Sequence, residues 1–148
     1  MIVTFFGHKN CPHSVQNDIE NTIRDLIENR GAIVFYVGNQ GNFDLYVNKA
    51  LLKLSSQYPQ IKNYIVLAYM PQKGDDYTKD YNTILPEEVA KAHPKYAISK
   101  RNDWMLKQSD IVVTYIKRSY GGAIKYYDKA IRQNKCVINI ADPNSKNS

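Results

Sequence analysis

The chain has 148 residues, 43% of them hydrophobic and 23% charged, enough for one domain with its own core and too few for two comfortable ones. No apolar run reaches bilayer length, and the apolar opening at residues 1–7 lacks both a basic flank and a small-residue cleavage site, so it reads as a first strand and a cytoplasmic location is expected. Two cysteines, Cys11 and Cys136, make no disulfide framework, and a net charge of +6 favours anionic partners without choosing among phosphate ligands, nucleic acid and acidic proteins.

Short β-rich runs alternate with amphipathic helical patterns along the chain. The runs are residues 2–6, 32–37, 64–70, 111–116 and 136–140. This alternation predicts βαβ units and an α/β domain, residues 1–141, with a three-layer α/β/α architecture. Between the first two runs, Val15, Ile19, Ile23, Leu26 and Ile27 recur at helical spacing, with Ser14 as N-cap and Gly31 as the stop. A second helix carries Phe43, Val47, Ala50, Leu51 and Leu54 and ends before Pro59. A third spans about 99–109 with Trp104 and Met105, and a fourth runs over 122–134 with Ile124, Tyr127 and Ile131 facing inward. Right-handed crossovers favour the Rossmann-like strand order 3-2-1-4-5 in a mainly parallel five-stranded sheet, with the change of direction between strands one and four.

Residues 71–94 break this rhythm with Pro71, Gly74, Pro86 and Pro94, and predict a flap over the site or a loop. Residues 142–148 form a polar tail.

Ligands in such sheets bind beyond the strand carboxyl ends, at the loops after the first, second and fourth runs. All three carry glycine: Gly7, Gly38 with Gly41, and Gly121 with Gly122. Glycine lets backbone N–H groups approach an anion, and the Gly121-Gly122 pair opens a helix whose N-terminus favours negative charge. The same pair also suits a tight turn with no ligand. Asn39, Gln40, Asn42 and Asp44 supply hydrogen-bonding groups that could grip a ribose or a base edge, or could cap the following helix. His8, Cys11 and His13 match no standard zinc spacing, so no metal and no cofactor are expected; His8 sits beside a phosphate or at a loop surface.

Thr4-Phe5-Phe6-Gly7-His8, the stretch from Val37 through Gly38 and Gly41 to Asp44, and the stretch from Ala97 through Arg101 to Met105 together resemble the SLOG superfamily. That superfamily includes the Lonely Guy phosphoribohydrolases and the DNA-processing protein A group. Arg101, Met105 and Asp110 fall at the Lonely Guy spacings, and Gly121 and Gly122 match its phosphate turn; Ile124 and Lys125 replace the Gly-Thr that follows, and Asp128 replaces the catalytic glutamate. The resemblance implies a phosphate-bearing, nucleotide-derived ligand, sensed or sequestered as in anti-phage defence, held by Gly7, His8, Gly38, Asn39, Gln40, Asn42, Asp44, Arg101, Ser119, Gly121, Gly122 and Lys125. Cleavage of an N-glycosidic bond by Arg101 and Asp128 is the first alternative it implies. Single-stranded DNA binding is the second, although scattered lysines and tyrosines within element patterns make nucleic acid an improbable partner. Trp104, Met105, Tyr126 and Tyr127, together with the family habit of pairing through neighbouring helices, lead to the expectation of a homodimer or a higher even-numbered oligomer.

Overall fold

The computed structural model describes residues 1–72, 74 and 80–142. Strand β1 (Ile2–Gly7) is the spine, because both of its faces are buried: Val3 and Phe5 on one side, Thr4 and Phe6 on the other, none more than 5% exposed. It is joined in one sheet by β2 (Val34–Val37), β3 (Lys62–Val66), β4 (Asn82–Ile84), β5 (Ile111–Tyr115) and β6 (Cys136–Asn139), all parallel, in the order β4-β3-β2-β1-β5-β6.

Five of these are the expected strands in the expected order. The sixth, β4, comes from the segment read as a flap or loop: Tyr64 pairs with Asn82 and Val66 with Ile84. Its three residues contain one apolar side chain, too little for any periodic signal. The segment also holds a short helix, α3 (Glu87–Ala90), and a 3-10 turn over Pro94–Tyr96. Its residues 73 and 75–79, and residues 143–148 of the polar tail, lie outside the described residues.

Helices α1 (Gln16–Arg30) and α2 (Gly41–Gln57) bury Ile19, Ile23, Leu26, Phe43, Val47, Leu51 and Leu54 against one face of the sheet. On the other face, α4 (Ala97–Gln108) and α5 (Gly122–Arg132) pack Met105, Leu106, Tyr126 and Ala130 onto Phe6, Val112 and Val137. Gly31 ends α1 with φ of 69°, as expected of a left-handed stop. Ser14 is not its cap; it lies in a 3-10 turn over His13–Val15, and α1 starts at Gln16 without a side-chain cap.

The inward face of α5 differs from the one read in the sequence. Tyr126 and Ala130 are buried, whereas Ile131 is 38% exposed. The Tyr126 ring stacks on Phe6 with centroids 5.1 Å apart, and its hydroxyl donates to Ser99 O at 3.2 Å. One large aromatic ring with a polar tip has thereby set the helix register, with Tyr127 packed partly buried beside it and Ile131 turned outward.

The same contacts remove the aromatic basis for an oligomer. Tyr126 is 4% exposed, and Trp104, half-buried, lies edge-on to Tyr36 at 5.0 Å. Side chains already partnered within their own domain do not need a second copy to cover them. Among the described residues no helix is long and apolar enough to cross a membrane.

A Cβ on Gly7 would lie 2.3 Å from Cγ of Phe43, a fully buried ring that has no room to retreat. Gly7→Ala is therefore expected to lower unfolding free energy by about 1–3 kcal/mol. Urea denaturation measures this, and Phe43→Leu in the same chain should recover part of the loss, a coupling that two independent sites would not show.

Candidate functional site

Beyond the carboxyl ends of β1, β2 and β5, where β1 parts from its two neighbours, lies a cavity of about 360 Å³. Gly7, His8, Gln40, Asp44, Arg101, Gly121 and Gly122 of the sequence-derived set line it. The remaining five do not. Gly38 is buried behind the wall; Asn39 stands behind Arg101, accepting from its Nη1 at 3.2 Å; Asn42 is exposed at the start of α2, its N–H given to Lys9 O at 2.8 Å. Ser119 is exposed, and exposed Lys125 rests its ammonium over the Tyr126 ring at 5.7 Å.

Asp128 is also exposed and outside the cavity. The lining residues of α5 are the adjacent Gly122 and Ala123 and, one turn on, Tyr126, a face that turns position 128 away. Arg101 and Asp128 are thus not brought together. Asp110 stands at the opposite edge of the sheet, where its Oδ2 accepts the Ile2 N–H at 2.9 Å.

Two of the glycines serve side chains and not an anion. A Cβ on Gly7 would strike Phe43, and one on Gly38 would lie 2.9 Å from both Cζ of Arg101 and Oδ2 of Asp44. Gly38 therefore clears the volume in which those two side chains meet. Gly121 and Gly122 differ: a Cβ on Gly122 meets nothing within 4 Å, and Gly121 holds φ of 103°. Gly121 turns the chain into α5 without any side-chain cap, so the first N–H groups of the helix are offered to the cavity that Gly121, Gly122 and Ala123 line.

Arg101 is 3% exposed. Its Nε and Nη2 donate to Asn102 Oδ1 at 3.1 and 3.0 Å and its Nη1 to Asn39 Oδ1, all neutral oxygens. Among the described residues no carboxylate lies within 4.0 Å of it. Burial lowers its pKa, and the Asp44 charge opposes that shift.

Asp44 accepts the Gln40 N–H at 2.9 Å, closing the first turn of α2 from within. Burial pushes its carboxyl up to about 6, against the pull of the Gln40 N–H, Arg101 and Lys9.

The sequence reading passed over Lys9, Ile98, Asn102, Met105, Arg118, Ala123 and Tyr126 as lining residues. Arg118 is the main omission. Its Nη1 donates to Asn10 Oδ1 at 2.9 Å, its guanidinium stacks over the Tyr120 ring at 4.9 Å, and its Nε is buried without a partner. In the sequence it looked like one half of a scattered surface pair with Lys117, though its place three residues before Gly121 was a usable signal. Among the described residues the cavity thus carries three cationic side chains, Lys9, Arg101 and Arg118, against one carboxylate, Asp44. Phe5, Phe6, Ile98, Met105 and Tyr126 give it an apolar side. His8, Cys11 and His13 do not converge: Cys11 is buried with its thiol pushed up to about 11, and His13 lies edge-on to Tyr46. Among the described residues no three His, Cys, Asp or Glu side chains are gathered as metal ligands.

A parallel sheet with helices on both faces and a cation-rich cavity at its switch point defines a Rossmann-like α/β domain. The family model of the YspA SLOG family matches residues 3–140, and the chain belongs to that family. No curated protein matches the chain. Among solved structures, DNA processing protein A from Streptococcus pneumoniae is similar at 16% identity and a TM-score of 0.68, over 91% of this chain and 48% of that one. DNA processing protein A from Helicobacter pylori, described for its single-stranded DNA binding mode, is similar at 14% identity and a TM-score of 0.65, over 93% of this chain and 63% of that one. The chain therefore spans about half to under two thirds of these structural neighbours. The comparison corrects the expectation that nucleic acid is an improbable partner, because a protein of this fold is described as binding a DNA strand.

The raised Asp44 pKa has a definite sign. The native state holds this proton up to about pH 6, whereas an ordinary aspartate releases it near 3.8, so the stability Asp44 contributes is complete below 3.8 and lost as pH rises through 6. On changing pH from 4.5 to 7.5, wild type should lose on the order of 2 kcal/mol relative to Asp44→Asn, which keeps an acceptor for the Gln40 N–H without the charge. Chemical denaturation of both proteins at the two pH values measures the difference.

Proposed function

We propose that the cavity binds a phosphate-bearing nucleotide unit, with the phosphate at the start of α5 and Arg118, the ribose beside Asp44, Gln40 and Arg101, and the base over the apolar side. The observation that carries this reading is the buried guanidinium of Arg101, satisfied among the described residues by neutral amide oxygens alone. A buried cation without a paired anion is costly, and an anionic ligand is the partner that removes the cost. The uncapped helix start on the same cavity supports the same polarity. A carboxylate in the cavity suits ribose hydroxyls, which donate to it. Binding without cleavage is favoured over glycosidic hydrolysis because Asp128 is outside the cavity. As a sensor or a sequestering protein, the domain would need only this affinity.

One observation favours a second reading, in which the bound nucleotide belongs to a DNA strand. Tyr69, Tyr96 and Tyr120 are 47%, 55% and 68% exposed in the loops after β3, before α4 and after β5. Lys95 lies over Tyr96 and Arg118 over Tyr120. Exposed aromatic rings paired with cations are what single strands stack on, and the Helicobacter pylori neighbour is described for its single-stranded DNA binding mode.

Calorimetric titration with adenosine 5′-monophosphate and with a short oligothymidylate tests both. A mononucleotide should bind, and Arg101→Ala, checked for an unchanged circular dichroism spectrum, should weaken it roughly tenfold to a hundredfold, the worth of one or more charge-assisted hydrogen bonds. Binding of the oligonucleotide alone, falling steeply with salt, would establish the strand reading in its place.

A further inference from the structure

His8 is 4% exposed, yet no carboxylate among the described residues hydrogen-bonds to it. Its Nε2 accepts two consecutive backbone N–H groups, from Lys117 at 3.0 Å and Arg118 at 3.3 Å. Its own backbone N–H is given to Tyr115 O at 3.2 Å, which fixes the ring beside the end of β5. An imidazole nitrogen that accepts carries no proton, so the ring is neutral with its hydrogen on Nδ1. Nδ1 makes no hydrogen bond within the described residues, and His8 lines the cavity.

Two successive N–H groups converging on one point form the kind of concavity that usually holds an anion. Here a lone pair of the protein itself fills it. The loop so held is the one that leads through Arg118 to Gly121 and the start of α5.

We propose that His8 is a positioning residue for the anion site: its neutral ring latches the 117–118 backbone, and protonation at Nε2 releases that latch and dismantles the site. The inference concerns regulation of the site described above and rests on the nucleotide-binding reading. A protonated Nε2 would be a donor facing two donors, so both hydrogen bonds are lost together and the loop has to move.

The charged and titratable groups around the ring favour its neutral form. Arg118 and Lys117 lie on the latched loop, Lys9 and Cys11 on its own loop, and Tyr115 stands edge-on at 6.2 Å. Across the cavity are Arg101 on α4 and Asp44 on α2. Burial first, and the Arg118 charge second, lower the His8 pKa from 6.5. The latch is thus closed at neutral pH and opens only on acidification. Asp44, which also takes up a proton in this range, acts with the opposite sign, since loss of its negative charge strengthens anion binding.

The test needs no ligand in its first arm. Amide resonances and hydrogen exchange of Lys117 and Arg118 are followed in the wild-type chain from pH 7.5 to 5, together with the His8 ring. Both amides should lose protection in step with His8 protonation; amides that stay protected while the ring titrates would overturn the proposal. In the second arm, adenosine 5′-monophosphate is titrated into wild type and His8→Gln, whose Oε1 can accept at the Nε2 position without titrating. Wild type should lose affinity on acidification by at least tenfold more than His8→Gln, a comparison in which the nucleotide's own phosphate ionisation cancels. Equal acid losses in the two proteins would also overturn it. Failure of the nucleotide to bind wild type at any pH would instead count against the binding reading, and the amide titration would still decide the latch.

Discussion

A guanidinium in the cavity wall, shut off from water and unmatched by any carboxylate of the described residues at ion-pair distance, sets the terms for everything around it. Neutral amide oxygens from Asn39 and Asn102 keep its N–H groups from being orphaned, but they do not neutralise its charge. Gly38 must stay small so that Arg101 and Asp44 can approach. Asp44 is in turn drawn toward Arg101 by charge and held off full ionisation by burial. Asn48 supports the same corner by giving its Nδ2 to Gly38 O at 3.1 Å. The loop after β2 is thus shaped around one cation, to which its Asn39 side chain is bonded.

The opposite wall is built differently. The chain from Lys117 to Gly121 crosses between β5 and α5 with no regular structure of its own. Its form is imposed from outside by His8, below, and by Asn139 at the end of β6. One wall of the cavity is therefore fixed by buried charge and the other by hydrogen bonds to backbone. These respond to solution conditions in different ways, since charge is felt across several ångströms and a hydrogen bond fails over a fraction of one.

Much of this was legible in the sequence, for identifiable reasons. Strand order followed from the alternation of elements and the handedness of crossovers, and the location of the crevice followed from strand order. What was hidden depended on side-chain volume and direction. Glycines at positions 7 and 38 looked like phosphate loops, yet Phe43 and the Arg101–Asp44 approach are what they accommodate, and no local pattern reveals a partner thirty or sixty residues away. The inward face of α5 was read only in part: Tyr127 does pack against the core, but Ile131 is exposed and Tyr126 and Ala130 hold the buried positions, a register that the stack on Phe6 set. Strand β4 escaped because three residues, two of them polar, follow no period. Arg118 was overlooked because a cation beside another cation reads as surface until a fold turns one of them inward.

Asn139 grips Ile116 at both ends, accepting its N–H through Oδ1 and donating to its carbonyl through Nδ2, each at 3.0 Å. A side-chain amide is here mimicking one further rung of the β5–β6 ladder, past the point where the two backbones diverge. The sheet therefore ends at a hard boundary, and the residues beyond it begin from a post that does not move when they change. For a lineage of such domains this separates two kinds of variation. Replacements between Ile116 and Gly122 would change the cavity lining while leaving both bonds to Ile116 in place, whereas exchange of Asn139 would remove the two at once. One amide thus marks the border between the loop that lines the cavity and the part of the chain held to the sheet.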